Sequence, residues 1–182
     1  MRVVASGKKK LIWIISFRKT LRKLGVSSMA RIIFYEKPGC KGGVKQKVLL
    51  TAAGHEVVVC NLLKEPWTIE RLRSFFGDRP VAEWFNRSAP KIKSGEVVPE
   101  KINAQKALEL MLEDPLLIRR PLLEVESRRE VGFDVERIDA WIGLKPVDES
   151  LRVVSESLTS QNLQGCAHGH SHDHHHEGGC KH

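Results

Sequence analysis

Apolar residues between positions 30 and 144 alternate between short runs typical of strands and wider spacings typical of helices. The run 32–35 combines β-branched and aromatic residues, which predicts a buried strand, and a Pro-Gly pair then ends it. From about Gly43 the spacing becomes helical. The apolar residues that we expect on the buried face of this helix are Val44, Val48 and Ala52.

The middle of the chain predicts one more strand and several helical segments. Residues 57–59 predict a second buried strand, and the short strand–helix–strand connection predicts that it runs parallel to the first. Thr68 can cap a helix that ends at the first glycine after it. Residues 81–86 predict one or two helical turns, and the prolines and glycine of 89–99 predict a loop. Residues 104–112 have the spacing of an amphipathic helix.

The last third of the domain predicts a hairpin and a final helix. Residues 122–125 and 131–133 predict a third and a fourth strand that pair as an antiparallel hairpin. Asp134 can cap a helix over 135–143 that a glycine closes. Residues 145–165 are polar, and we expect them to be loose. These elements predict an α/β fold with a mixed four-stranded sheet and a helical insert between the second and third strands.

The positive charge of the chain is concentrated at its N-terminus. The net charge is +8, but residues 1–28 contain eight Lys or Arg and no acid, so the rest carries 22 basic and 22 acidic residues. This balance does not favour nucleic-acid binding. The apolar run 11–17 is shorter than the ~20 residues that span a bilayer. We expect 1–28 to be a basic extension that is disordered or not translated, with Met29 as the true start; a basic membrane anchor is the weaker alternative.

The four cysteines lack the pairing of a disulfide framework, which favours a reducing, cytoplasmic compartment. Cys40 lies between the first predicted strand and helix, where the first N–H groups of the helix are unpaired. The helix N-terminus stabilises a thiolate by up to ~2 kcal/mol, which lowers a thiol pKa from ~8.5 to about 7. Lys37 and Lys41 can lower it further, and Gly42 and Gly43 let N–H groups approach an anionic substrate. The alternative is a buried, inert cysteine, but the surrounding lysines and glycines favour a reactive thiolate.

Three segments resemble the arsenate reductase family of the thioredoxin superfamily. They are the strand-to-cysteine turn 35–40, the segment 114–121 and the Val-Gly-Phe ending at 131–133. The resemblance covers roughly residues 30–144 and implies a thioredoxin-like domain over 29–144. The segments most similar to the nitrogenase-associated branch of the family are 63–68, 76–86 and 93–96.

The resemblance also implies roles for single residues. In arsenate reductases a thiolate attacks arsenate, three arginines hold the oxyanion, and glutathione with glutaredoxin completes the reduction. Cys40 matches the nucleophile, Arg120 matches the arginine before the proline, and Pro121 matches the superfamily's cis-proline. The other two arginines have no clear equivalent, because Phe133 occupies the last position and Arg87 is a shifted substitute. Losing one charge-assisted bond weakens anion binding roughly 10–150-fold, so arsenate binding is expected to be poor.

A self-contained dithiol cycle is absent, because the turn after Cys40 has no second cysteine. An external thiol, with glutathione as the expected co-substrate, must therefore regenerate Cys40. Cys60, near the end of the second strand, can act as a resolving thiol, although a structural cysteine is the favoured interpretation. We expect no tightly bound cofactor in the domain.

The C-terminal segment 166–182 is rich in metal-ligand residues, and imidazole and thiolate groups suit Ni²⁺, Zn²⁺ or Cu. Its candidate ligands are Cys166, His168, His170, His172, His174, His175, His176, Cys180 and His182. The irregular spacing favours several exchanging coordination modes over one rigid site. An expression tag is the alternative, but the interruptions and the flanking cysteines argue against it.

Two functional hypotheses follow from the sequence. The first is a thiol-dependent oxidoreductase that uses Cys40, with Arg120 assisting and glutathione or glutaredoxin as the reductant. The second is a non-enzymatic accessory protein of nitrogen fixation that binds a nitrogenase-related partner and carries Ni, Zn, Cu or Fe in its tail. The reactive setting of Cys40 favours the first, whereas Phe133 and the missing second cysteine favour the second.

Deletion of residues 166–182 is expected to remove most of the bound divalent metal, because all of the predicted ligands lie there. Elemental analysis of the purified full chain and of the deletion variant measures this. Acidification below about pH 6.5 should release metal from the full chain, since protonated imidazole does not ligate. Unchanged metal content after the deletion would contradict the prediction.

Overall fold

The computed structural model describes residues 29–161 and residue 163. In this part of the chain four strands form one sheet in the order β2-β1-β3-β4. The strands are β1 (Arg31–Glu36), β2 (Glu56–Asn61), β3 (Leu122–Val125) and β4 (Arg128–Val131). The α-helices are α1 (Lys41–Ala52), α2 (Ile69–Arg73), α3 (Pro90–Lys93), α4 (Ala104–Glu113), α5 (Val135–Ile142) and α6 (Arg152–Thr159). Short 3₁₀ turns are Val81–Trp84, Pro99–Lys101, Pro115–Leu117 and Glu149–Leu151.

The pairing of the strands confirms the predicted mixed sheet. β1 runs parallel to β2 and antiparallel to β3, and β3 pairs with β4 as an antiparallel hairpin. The fourth strand, however, lies earlier than predicted and ends at Val131. The hairpin turn uses Glu126, which has a φ of 55°, so Arg128 and Arg129 already belong to β4 and Phe133 lies beyond it.

Alternating residues of the central strands face two separate hydrophobic clusters. Tyr35 and Leu122 belong to a cluster formed with the insert between β2 and β3, which we call the insert-side cluster. Phe34 and Leu123 face the opposite side of the sheet, where α1 and α5 pack. Helices therefore cover both faces of the sheet. This layering is what the period-two alternation of a buried strand requires.

The buried face of α1 differs in part from the prediction, since Ala52 is buried as expected but the two valines are not. Val44 and Val48 are 56% and 42% exposed, whereas Gln46, Leu49 and Leu50 are buried. Leu49 and Leu50 pack against the sheet, and leucines bury more apolar surface than valines. The i, i+4 spacing of the two valines is helical, but it does not state which face is covered.

Three smaller expectations also need correction. β2 is not buried, because it lies at the edge of the sheet and Val59 is 50% exposed. Thr68 caps α2 as predicted by accepting a hydrogen bond from Arg71 N, but the helix ends at Arg73. The region predicted as a loop, 89–99, contains the short helix α3, since a proline at the first helical position has the required φ.

Residues 145–161 are not loose, contrary to the expectation, and they extend the domain beyond residue 144. Helix α6 lies against α1, and Leu163 is buried in the cluster beneath that helix. Gln46 Nε2 donates a 2.6 Å hydrogen bond to the carbonyl oxygen of Leu163, and Lys45 Nζ donates to Gln161 at 2.7 Å. The predicted basic extension, 1–28, lies outside the described residues. Within the described part, no helix is both long and apolar enough to cross a membrane.

Leu163→Ala is expected to lower the free energy of unfolding by about 2 kcal/mol or more, because the leucine is 4% exposed and its removal leaves a cavity. Urea denaturation of the full chain measures the change. Val153→Ala is the matched control, since Val153 is 75% exposed on α6. Equal stability of both variants and the wild type would show that this segment does not dock.

Candidate active site

The antiparallel pairing of β1 and β3 brings two distant segments to one end of the sheet. Tyr35, near the end of β1, lies opposite Leu122, the first residue of β3. Cys40 follows the end of β1, and Pro121 directly precedes β3. Strand register therefore places the cysteine turn beside the Arg-Pro segment, although 80 residues separate them in the chain.

A part of the insert is fixed over the same end of the sheet. Phe85 forms an isolated antiparallel bridge with Ile118. Asn86 N donates to the carbonyl oxygen of Leu117, and Arg119 N donates to that of Trp84, both at 2.8 Å. These bonds hold the segment after Trp84 beside the Arg-Pro segment.

Cys40 is the N-cap residue of α1, as the sequence predicts. Its backbone is extended, with φ −74° and ψ 114°, and its N–H donates to the carbonyl oxygen of Lys37 at 3.2 Å in the turn. Gly39 has a φ of +78°, which only glycine adopts readily, and this lets the chain turn sharply into the helix. Cys40 is partly exposed, so the alternative of a sealed, inert thiol is not what the structure has.

The three segments enclose a cleft of about 360 Å³ that Cys40 lines. Its other lining groups include predicted and unpredicted residues from all three segments. Those with charged or backbone-donor chemistry are Glu36, Lys37, Gly42, Gly43, Glu83, Arg87, Arg119 and Arg120. The cleft thus combines a thiol, helix N-terminal glycines and several cations with two carboxylates.

Arg120 and Pro121 lie where the family resemblance implies. Both residues line the cleft with Cys40, and the Arg120–Pro121 peptide bond is cis. The guanidinium of Arg120 is partly buried, which suits bidentate binding of an anion away from bulk water.

Of the remaining predicted substrate-binding residues, some line the cleft and one does not. Gly42 and Gly43 line the cleft, whereas the exposed Lys41 is not among its lining residues. Arg87 lies at the rim, where it is exposed and forms a 2.7 Å ion pair with Glu100. Arg87 is therefore available only at the edge of the cleft and shares its charge with a carboxylate.

Arg119 also lines the cleft, although the sequence pointed to no role for it. Its side chain crosses Gly132, since a Cβ at that glycine would lie 2.9 Å from Arg119 Nε. Arg119 Nη1 donates to the carbonyl oxygen of Glu83 at 3.2 Å. Burial lowers the pKa of the Arg119 guanidinium from its usual value, and the neighbouring charge of Arg79 lowers it further. The sequence feature that could have indicated this is Gly132 in the Val-Gly-Phe ending, because a glycine leaves room for a long side chain to pass.

Glu36 is the second cleft residue that was missed. Glu36 Oε1 accepts a 2.5 Å hydrogen bond from Lys47 Nζ, and Lys47 lies in the middle of α1. Oε2 lies so close to Gly43 that a Cβ there would be 2.2 Å away. The alternation of side chains along β1 could have indicated its position, because Glu36 follows Phe34 by two residues and so lies on the same face of the strand, towards α1.

Two other residues considered in the sequence lie away from the cleft. Phe133 is fully buried in the cluster beneath α1, so it is a core residue and not a ligand-binding one. Cys60 packs against the insert-side cluster, and burial raises the pKa of its thiol from its usual value, with Glu65 adding to the shift. These facts support the structural interpretation of Cys60.

The predicted metal ligands between Cys166 and His182 lie outside the described residues. Among residues 29–161 and 163, no group of three or more His, Cys, Asp or Glu side chains is placed to hold a metal ion. The isolated His55 is buried and structural: Ala30 N donates to its Nδ1 at 3.2 Å, and its Nε2 lies 2.7 Å from the carbonyl oxygen of Gly143.

A mixed four-stranded sheet, a cysteine at the N-terminus of the first helix and a cis-proline beside it define a thioredoxin-like protein. The model of the ArsC family matches residues 15–141, well over half of the chain. The chain belongs to the ArsC family, which confirms the resemblance seen in the sequence.

Two curated relatives differ in what their names state. An uncharacterized 15.7 kDa protein in the draG 3′ region of Rhodospirillum rubrum is 51% identical over 116 residues, which cover 64% of this chain and 81% of that protein. The global transcriptional regulator Spx of Lactiplantibacillus plantarum is 23% identical over 116 residues, covering 63% of this chain and 88% of the regulator.

Two solved structures show the same fold. An ArsC family related protein from Bacteroides fragilis has a TM-score of 0.54 at 23% identity, covering 60% of this chain and 97% of that protein. An arsenate reductase from Vibrio cholerae has a TM-score of 0.52 at 19% identity, covering 61% and 97%. At these identities the two structures establish the fold alone.

The thiol of Cys60 is expected to be alkylated more slowly at pH 8 in the native chain than in the chain unfolded by guanidinium. Its raised pKa leaves less thiolate at that pH, and the thiolate is the reacting form. Iodoacetamide labelling followed by peptide mass mapping reports Cys60 separately from the other cysteines. A native rate equal to or above the unfolded rate would contradict a partly buried, structural thiol.

Proposed function

We propose that this ArsC-family chain is a thiol-dependent oxidoreductase in which Cys40 is the nucleophile and an external thiol is the reductant. The observation that carries the proposal is the position of Cys40 at the N-terminus of α1, partly exposed in a cleft that Arg120 also lines. The unpaired N–H groups of the first helical turn and the guanidinium both stabilise negative charge on sulfur or on a bound anion.

The exchange chemistry needs no second cysteine in the domain. The Cys40 thiolate attacks one sulfur of a disulfide, a new S–S bond forms, and the other sulfur leaves as a thiolate. A thiol such as glutathione, or the thiol of a glutaredoxin, then attacks the mixed disulfide and releases Cys40. Cys60 is excluded from this cycle, because it packs against the insert-side cluster and does not line the cleft.

Arsenate is the less favoured electrophile for this cleft. Phe133 points into the core, and Arg87 is paired with Glu100 at the rim. Arg119 supplies a second guanidinium, but Glu36 and Glu83 place negative charge in the same cleft. Two carboxylates oppose a doubly charged oxyanion, so arsenate reduction is expected to be slow.

A second candidate function is supported by one comparison. The relative in the draG 3′ region, at 51% identity, favours the accessory role in nitrogen fixation that the resemblance to the nitrogenase-associated branch implies. In that role the domain binds a nitrogenase-related partner, and segment 166–182 carries the metal. This second function requires no chemistry at Cys40, so it is an alternative to the first.

Cys40→Ser is expected to abolish formation of a mixed disulfide with glutathione in the folded domain, because the attacking sulfur is lost. Glutathione disulfide is added to the reduced full chain, and the modified cysteine is identified by intact mass and peptide mapping. Cys60→Ser is the matched control and should react like the wild type. Arg120→Gln should slow the reaction at Cys40 roughly tenfold through loss of a charge-assisted contact.

A Cys40 that reacts no faster than the cysteines of segment 166–182 would overturn the proposal. Those cysteines provide an internal reference within the same molecule. The accessory role would then be the remaining candidate, and it is tested separately by affinity capture with and without segment 166–182.

A further inference from the structure

Glu83 is the more exposed of the two carboxylates that line the cleft. Its side chain is 49% exposed, whereas that of Glu36 is 11% exposed and closed off by its own ion pair. Glu83 lies in the 3₁₀ turn Val81–Trp84, which the insert brings to the end of the sheet. A ligand that enters the cleft therefore reaches the carboxylate of Glu83 and does not reach that of Glu36.

Two guanidinium groups converge on one oxygen of Glu83. Its Oε2 lies 3.4 Å from Arg79 Nη1 and 3.6 Å from Arg119 Nη1. Both arginines are largely buried, with side-chain exposures of 17% and 23%. Partly desolvated guanidinium groups that point at a single oxygen form the kind of site that proteins use to bind an anion. In this chain the anion at that site is the carboxylate of Glu83.

The two arginines need a counter-charge, because they lie close enough to repel each other. Burial lowers the pKa of Arg119, and the charge of Arg79 lowers it further. Glu83 opposes this shift in pKa more than Asp134, the other acidic neighbour, does. Asp134 also caps α5, where it accepts a hydrogen bond from Arg137 N at 3.0 Å. Glu83 is thus the acidic group that does most to neutralise Arg119.

The charge that Glu83 neutralises belongs to the cleft. Arg119 and Arg120 line the same cleft as the nucleophilic thiol. Arg79 is not among the lining residues, and it has a second ion pair, with Glu130 at 3.8 Å. Loss of the Glu83 carboxylate would therefore change mainly the charge that Arg119 presents to a ligand, and it would leave two adjacent arginines at one site.

We propose that Glu83 is a specificity-determining residue, whose carboxylate occupies the anion site at Arg119 and so excludes tetrahedral oxyanions from the cleft. This inference deepens the proposed function and rests on it, because it gives the reason why the thiolate reacts with a disulfide in preference to an oxyanion. An oxyanion has to displace the carboxylate or lie against it, and like charges in contact oppose binding. The sulfur atoms of a disulfide carry no charge and do not meet this barrier.

The test measures how tightly the full chain binds sulfate, a tetrahedral dianion that does not react with a thiol. An NMR titration follows the backbone amide signals of Gly42 and Gly43, which line the cleft and so report binding there separately from binding elsewhere. Sodium chloride keeps the ionic strength constant, because salt screens exposed charges. Glu83→Gln is expected to bind sulfate about tenfold or more tightly than the wild type, since it restores a charge-assisted contact with Arg119.

Glu109→Gln is the matched control, because Glu109 is similarly exposed, at 43% against 49% for Glu83, and also pairs with a cation but lies outside the cleft. It removes the same charge and should bind sulfate like the wild type. The double variant of Glu83→Gln with Arg119→Gln should lose the gain, because the guanidinium that Glu83 neutralises is then absent. Glu83→Ala also removes the carboxylate, and it decides the question if Glu83→Gln does not fold.

An affinity for sulfate that does not change when the Glu83 carboxylate is removed overturns the proposal. An equal gain in Glu109→Gln also overturns it, because net charge would then be the cause, and so does a gain that persists without Arg119. None of these measurements uses the reactivity of Cys40, so the proposed function is decided separately. If Cys40 forms a mixed disulfide but the affinity for sulfate does not change, only the role of Glu83 falls; if the affinity rises but Cys40 forms no mixed disulfide, the oxidoreductase falls and the exclusion of oxyanions by Glu83 stands.

Discussion

The antiparallel pairing of β1 with β3 is the constraint on which the cleft depends. It sets Tyr35 opposite Leu122, and this register alone brings the turn of Cys40 to the Arg120–Pro121 segment. The alternation along β1 then divides its side chains between two hydrophobic clusters, with Tyr35 facing the insert and Phe34 facing α1. A shift of one residue would exchange these faces and would also turn Glu36 away from the helix.

The electrostatics of the cleft are more mixed than the sequence around Cys40 suggests. The lysines and glycines near the thiol favour a thiolate, but the fold also brings the carboxylates of Glu36 and Glu83 to the cleft. Lys47 neutralises one of them, and Arg119 lies beside the other at 3.6 Å. The result is a site that contains charges of both signs, with each of the two carboxylates beside a cation.

The cleft of this chain is lined by a different arginine from the one that the family resemblance implies at position 133. Phe133 occupies the core, where it packs beneath α1, and Arg119 reaches into the cleft across the neighbouring Gly132. The cationic character of the cleft is thus retained by a residue from a different segment. The C-terminal helix α6 adds a further layer on α1, and Gln46 ties the helix to Leu163 through a buried hydrogen bond.

The sequence by itself determined the features that depend on near neighbours. These were the order of strands and helices, the caps at Thr68 and Asp134, and the position of Cys40 at a strand-to-helix turn. Backbone propensity, capping and turn chemistry act over a few residues, so the local pattern contains them. The cis bond at Pro121 was expected only because the segment resembles a family motif.

Only the tertiary structure decided which surfaces are covered and which charges meet. The exposed face of α1 with Val44, the place of Glu36 over Gly43 and the docking of Leu163 depend on what packs there from elsewhere in the chain. The periodicity of apolar residues predicts that a helix is amphipathic, but it does not determine which face is buried against the rest of the protein. The place of Arg119 has the same cause, since only the fold shows that Gly132 leaves its side chain a path into the cleft.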